Sequence, residues 1–268
     1  MNKEFTVLQE CLQLAARLIR RHMGKVSFEL KGKANLVTQV DLAVQKAVLS
    51  HIRKNFPDHD YLAEEDGLKN TRSPYTWVLD PIDGTTNFAH TFPQCSTSLA
   101  LFYKNEPVLG GVINPITHEI FLAQKGKGAT LNGKKIHVSK TTSVGDSLLI
   151  TGFPYNRFHR MEELLNRFAL FMNASHDIRR LGSAALDLCW LAAGRADGYW
   201  EDNLNPWDVS AGVLILQEAG GKVTDYSGKK FRKIKDYGST LLASNGKIHK
   251  SMLEILHQSN PEKSDCKK

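Results

Sequence analysis

Apolar residues recur along this chain with two periods, and the change between them divides it into predictable elements. Leu8, Leu12, Ala15 and Ile19 keep the three-to-four-residue spacing of one helical face, which predicts an amphipathic helix over residues 3–22 ending near Gly24. A second helical pattern runs from Leu42 through Val48, Leu49 and Ile52 to Pro57, and Asp41 just ahead of it is read first as a helix-start residue. Residues 67–76 read as an exposed connector. Trp77, Val78 and Leu79 then form a short apolar run, predicted to be a buried strand that stops at Asp80 because Pro81 cannot continue a ladder.

Beyond residue 90 the texture is that of strands. Ser96 to Tyr103, Val108 to Ile113 and Glu119 to Ala123 are separated by turn residues, and Asn132-Gly133 is a strong hairpin signal, so an antiparallel meander is expected. Near residue 140 helices and strands begin to alternate, which divides the chain into halves 1–140 and 141–268 and implies a layered α/β unit. Leu148-Leu149-Ile150 is a strand. Residues 161–172 and 183–193 are helices, the Met and Phe residues of the first assigned to the core. A strand through Tyr199 and Trp200 closes at Glu201-Asp202-Asn203, a helix begins at Pro206-Trp207-Asp208, and strands at 223–224 and 241–244 precede a helix over 247–257. The tail from Ser259 is expected to be disordered.

Composition narrows the class. A chain of 268 residues buries about three-quarters of its unfolded surface and needs no small-protein staple. Cys11, Cys95, Cys189 and Cys266 are scattered with no Cys-x-x-Cys pair, so free thiols in a reducing cytoplasm are the expectation. No apolar run approaches the roughly 20 residues that span a bilayer, and no signal peptide is recognised. The net charge of +7 suits an anionic substrate or a nucleic-acid surface and does not choose between them. The basic run Lys229-Lys230, Arg232-Lys233 and Lys235 is read as a solvated loop, because no aromatic pattern in it suggests a stacking platform. Lys31-Gly32-Lys33 is read as a loop beside the site.

The chemistry gathers at residues 77–87. Asp80 and Asp83 stand three apart around Pro81, and Gly84-Thr85-Thr86-Asn87 has the small and capping residues that open a helix. Two carboxylates beside a helix start suit a hard divalent cation and a phosphate together, although each residue also fits an ordinary turn. Glu64-Glu65-Asp66 is either a solvated charge run or a cation site, and Asp208 either a helix cap or a further carboxylate ligand. His90 is read as a structural histidine.

Taken together, Glu64-Glu65, the stretch Asp80-Pro81-Ile82-Asp83-Gly84-Thr85, and Trp207-Asp208 with Val209 through Ala219 preceding Gly220-Gly221 resemble the signature of the inositol monophosphatase family. Leu36 to Asp41 and Gly182-Ser183-Ala184-Ala185 also look like motifs of that family. The resemblance implies an α/β (α+β) fold, a layered α-β-α-β-α sandwich. It implies two or three Mg²⁺ ions: Glu64, Asp80 and the Ile82 carbonyl on one, Asp80, Asp83 and Asp208 on another, and Glu64 reaching a third through water. Backbone N–H groups at Gly84 and Thr85 would grip phosphate. A water positioned by Thr85 with Asp41 and Glu64 would attack in line, with no phosphoenzyme. The Ala184 backbone, Glu201 and Asp83 would contact substrate hydroxyls.

By the same resemblance the expected partner is a small phosphate monoester, myo-inositol 1-phosphate first. Fructose 1,6-bisphosphate, 3′-phosphoadenosine 5′-phosphate and NADP are the alternatives. Lithium inhibition, a homodimer and no membrane or nucleic-acid partner are expected. A regulatory RNA-associated protein on the same fold is the alternative from another class.

Overall fold

The computed structural model describes residues 2–25, 28–30, 36–69 and 71–259. The predicted loop at 31–33 and the tail beyond Ser259 lie outside them. Ser259 itself, the first residue of the expected tail, is buried, and its hydroxyl donates to the Leu256 carbonyl at 2.7 Å.

Helix α1 (Asn2–His22) buries Val7, Leu8, Cys11, Leu12, Ala15, Ala16 and Ile19 along one stripe. A short antiparallel pair, β1 (Phe28–Leu30) and β2 (Leu36–Thr38), leads into α2 (Gln39–Asn55). Thr38 and Asp41 close a capping box at the start of α2, which satisfies N–H groups that the first turn leaves unpaired. Leu42, counted in the apolar pattern, is 51% exposed, because it falls on the opposite side of α2 from Val44 and Val48.

Eight strands form the first large sheet. They are β3 (Asp60–Ala63), β4 (Gly67–Lys69), β5 (Tyr75–Asp83), β6 (Ser96–Tyr103), β7 (Glu106–Asn114), β8 (Glu119–Gln124), β9 (Ala129–Leu131) and β10 (Lys134–Lys135), and a five-residue helix α3 (Thr85–Ala89) follows β5. Their spatial order is β10-β9-β8-β7-β6-β5-β3-β4, antiparallel except where β3 runs parallel to β5. The expected meander is present, but the connector at 67–76 is partly strand: β4 turns back on β3 with Ala63 opposite Gly67, and β5 begins at Tyr75.

The second sheet contains β11 (Leu148–Thr151), β12 (Asp177–Arg179), β13 (Gly198–Asp202), β14 (Lys222–Thr224) and β15 (Thr240–Ser244), in the order β12-β11-β13-β15-β14. β12 escaped prediction because three residues carry too little periodicity. Helices α4 (Met161–Ala174), α5 (Ala184–Ala192), α6 (Pro206–Glu218) and α7 (His249–Gln258) complete the chain.

Three apolar clusters hold these elements in five layers. Residues of α1 and α2 pack on one face of the large sheet. Its other face meets α5 and α6, which are apolar nearly all round because the second sheet covers them from the far side. Beyond that sheet, α4 and α7 close a third core around Phe171 and Trp200, whose rings stack at 4.0 Å. The architecture is the expected α-β-α-β-α sandwich. Met161 and Met172, however, are 41% and 39% exposed and not core, since α4 turns Leu164 and Phe171 inward in their place.

Candidate active site

Strand β5 delivers both aspartates of the central turn, but not by stopping at Asp80. The strand runs on through Pro81 to Asp83, with a register shift against β6 between the pairs Asp80–Ser98 and Asp83–Ser96. The bulge accommodates a residue with no N–H, and the Thr97 hydroxyl donates to the Pro81 carbonyl at 2.8 Å. Gly84 then turns the chain at φ 87°. A Cβ there would lie 2.8 Å from the Gln94 carbonyl oxygen and 3.0 Å from that of Gly182, so only glycine meets both the conformation and the close approach. The Asn87 amide donates to the Gln94 and Leu181 carbonyls at 2.7 and 2.8 Å, tying this turn to the start of α5.

The turn opens onto a cavity of about 810 Å³. Glu64, Asp80, Ile82, Asp83, Gly84, Thr85, Ala184, Glu201 and Asp208 all line it. Asp41 stands immediately behind Thr85, with its Oδ1 3.2 Å from the Thr85 hydroxyl oxygen, and its Oδ2 accepts from the Thr38 N–H and hydroxyl at 2.8 and 2.6 Å. The structure therefore assembles every site residue expected from the sequence around one hollow. His90 lies on the same wall, with Arg157 and Arg180 as cationic residues.

Where two readings were open, the geometry often satisfies both. Asp208 caps α6, its Oδ2 accepting the Asn205 N–H at 2.6 Å, and also faces the cavity. Asp41 is a capping residue that also reaches Thr85. The acidic run is split: the Glu64 N–H donates to the Leu79 carbonyl beside Asp80, the Glu65 N–H donates to the buried Gln45 amide at 3.1 Å, and Asp66 alone is exposed. Partners to which the sequence reading assigned no such role hold the acids. Asp83 Oδ2 accepts from the Ser183 hydroxyl at 2.6 Å and the Ala185 N–H at 2.8 Å, and the Tyr199 hydroxyl donates to Glu201 at 2.5 Å. Tyr199 was detectable as the same-face neighbour of Glu201 on a strand; Ser183 needed the approach of α5 to β5.

These acids are electrostatically unfavourable as they stand. Burial, then the charges of Glu64, Asp83, Asp208 and Asp41, push the Asp80 carboxyl well above the usual range. Burial does the same to Asp208 and lifts Asp83 to about 6 despite its hydrogen bonds. Glu201 rises to about 7, again chiefly by burial. Asp80 Oδ1 is buried with no hydrogen-bond partner. Among the described residues, no three acidic, histidine or cysteine side chains already stand in a closed ligand set. Mutually repelling carboxylates, one of them with an orphan oxygen and all aimed at one hollow, fit hard oxygen-seeking cations, whose charge would draw them together.

The sequence profile of the inositol monophosphatase family matches residues 1–261. The chain belongs to the inositol monophosphatase family. Its structure superposes on that of an inositol monophosphatase from Anabaena with a TM-score of 0.87, at 38% identity over 97% of this chain and 98% of that one. It is similar to an IMPase/NADP phosphatase complexed with Mg²⁺ and phosphate, with a TM-score of 0.81 and 27% identity over 93% of each chain. Among curated relatives, it is 37% identical to the Nus factor SuhB of Pseudomonas aeruginosa over 93% of this chain and 92% of that protein. Family membership supports a phosphatase, and the family is Mg²⁺-dependent.

Proposed function

We propose that this chain is a Mg²⁺-dependent phosphatase of polyol monophosphates, with myo-inositol 1-phosphate as its leading substrate. The observation that carries the reading is the convergence of Glu64, Asp80, Asp83 and Asp208 on one cavity that also exposes the Gly84–Thr85 turn and Glu201. Glu64, Asp80, the Ile82 carbonyl, Asp83 and Asp208 would hold two or three Mg²⁺ ions, which when bound neutralise phosphate charge and activate water. The chain's own residues do the rest. The Thr85 hydroxyl oxygen lies 2.8 Å from the Ile82 carbonyl and 3.2 Å from Asp41. A hydroxyl that donates toward Asp41 keeps a lone pair for the attacking water, and Asp41, held by Thr38, takes up the positive character that develops. Glu64 orients the same water. Backbone groups at Gly84 and Thr85 grip the phosphate, while Asp83, the Ala184 backbone and Glu201 contact the hydroxyls of the alcohol.

The test is phosphate release from myo-inositol 1-phosphate, fructose 1,6-bisphosphate and 3′-phosphoadenosine 5′-phosphate with Mg²⁺, EDTA or Li⁺. The expected result is preferential turnover of the inositol ester, lost in EDTA and suppressed by Li⁺. Turnover of another ester alone moves the substrate, and no Mg²⁺-dependent turnover of any of them removes the phosphatase reading.

A second reading, a regulatory RNA-associated protein, has one observation in its favour. Lys229, Lys230, Arg232 and Lys235 line a separate cleft of about 880 Å³ that shares no residue with the acidic cavity. Phe231, the one aromatic residue inside this basic run, lines the cleft and packs on Tyr237 at 5.0 Å between ring centres. Asp80→Asn distinguishes the two roles, since heparin retention without phosphatase activity would make them independent.

The homodimer is kept as part of the proposal. Phe158, Met161, Leu165, Phe168 and Met172 follow one another at alternating spacings of three and four along the α4 region, all but Phe168 exposed, which is a seam suited to a second copy. Leu165→Glu is expected to give a monomer by light scattering. The cytoplasm is the proposed compartment: Cys11, Cys95 and Cys189 are free and buried, and no helix among the described residues is long and apolar enough to cross a membrane.

A further inference from the structure

Glu201 stands near the end of β13 with its side chain on the cavity wall, and the backbone alongside it is that of Gly152, the residue after β11. The two strands run parallel in a register that pairs Ile150 with Tyr199 and Thr151 with Trp200, so Gly152 and Glu201 are next in line. The Thr151 hydroxyl donates to the Trp200 carbonyl at 2.9 Å and pins the strands at that level. A Cβ built on Gly152 would lie 1.9 and 2.1 Å from the two carboxylate oxygens of Glu201 and 2.1 Å from its Cδ. Gly152 is absent from the glycines of positive φ, so space, and not backbone freedom, is what demands glycine here. On the other side the fully buried Tyr199 donates its hydroxyl to Glu201 Oε2 at 2.5 Å. The carboxylate is thus seated on bare backbone and held by one phenol.

We propose that Gly152 and Tyr199 form a cradle that fixes the direction of the Glu201 carboxylate and thereby makes the site selective for phosphate esters whose alcohol carries neighbouring hydroxyls. The proposal rests on the phosphatase reading above. Gly152 and Tyr199 are positioning residues, acting only through Glu201. With Oε2 occupied by Tyr199, Oε1 is the oxygen left to accept from a substrate hydroxyl. The three atoms nearest to a methyl group at 152 all belong to the far end of the flexible Glu201 side chain, so the carboxylate is the group expected to yield.

The test compares Gly152→Ala, Tyr199→Phe and the wild type on myo-inositol 1-phosphate and on p-nitrophenyl phosphate, whose alcohol has no other hydroxyl. Gly152→Ala is expected to raise KM for the inositol ester by about 10- to 100-fold, with a smaller change in kcat and a far smaller change in KM for the nitrophenyl ester. Tyr199→Phe shifts the same ratio in the same direction. In an Glu201→Ala background Gly152→Ala adds little further, which a merely structural role would not produce. Equal losses on both esters, or an unchanged preference for the inositol ester, overturn the cradle. A wild type without any preference for the hydroxylated ester instead overturns the substrate reading. The cradle is then decided by a crystal structure of Gly152→Ala: a carboxylate displaced from the Tyr199 hydroxyl supports it, and one still in place overturns it.

Discussion

Asp80→Asn is expected to lower Mg²⁺-dependent kcat/KM by at least about 10³-fold, equivalent to about 4 kcal/mol of transition-state stabilisation, while the variant in EDTA is expected to melt at a higher temperature than the wild type. The two effects have one cause. Asp80 is buried at the end of β5, faces the other acids of the cavity and has an oxygen without a partner. In the absence of a cation an ionisable group here is only a burden on the fold, since desolvation and four neighbouring carboxylates all oppose the charge that Asp80 carries freely in the unfolded chain. An amide of the same shape removes that burden, and each kcal/mol relieved raises Tm by about 2–4 °C in a chain of this size. The same amide contributes no charge to a divalent ion. Steady-state kinetics on the inositol ester and a melting curve in EDTA check the pair. A variant that loses activity and is also less stable would make Asp80 a structural residue, and one that keeps activity would remove it from the site.

That coupling of cost to function explains which features were legible in the sequence. The periodicities of α1, α2 and the β6–β8 meander are long enough to assign from pattern alone, because tertiary packing there agrees with local preference. Pro81 misled the strand boundary since a proline ends a ladder only where its N–H is required, and the bulge between Asp80 and Asp83 removes that requirement. Met161 and Met172 misled the core because α4 turns one narrow face, with Leu164 and Phe171, toward its sheet and leaves the other face exposed. At the site, the acids and the glycine turn were legible as motifs. The supports that come from remote segments were not: Ser183 is 100 residues from Asp83 in the chain, and Gly152 meets Glu201 only through parallel pairing of two strands. A strand neighbour two residues away, such as Tyr199, marks the limit of what local pattern reaches.

Stripping the protein of Mg²⁺ should make it less stable as pH rises, the reverse of the usual acid-denaturation behaviour. Asp83 titrates near 6 and Glu201 near 7 in the folded chain, and Asp80 and Asp208 are also raised, whereas unfolded Asp and Glu titrate near about 3.9 and 4.3. Between those limits the folded state binds more protons than the unfolded state, so the slope of unfolding free energy against pH is negative. Stability is therefore lost progressively from about pH 4 to about pH 7, and Glu201 alone accounts for about 3 kcal/mol of that loss. Mg²⁺ at a hundred times its dissociation constant restores about 2.7 kcal/mol by binding only the folded state. It also lets Asp80, Asp83 and Asp208 ionise at ordinary pH, which flattens their share of the slope. Glu201 lies outside the proposed ligand set, so a residual slope near pH 7 persists with Mg²⁺ and disappears in Glu201→Gln. Melting temperatures across about pH 5 to pH 8, in EDTA and in Mg²⁺, read all three statements. A Tm in EDTA that climbs with pH would mean that the carboxylates of this cavity are paired in the folded chain and carry no stored repulsion for a cation to relieve.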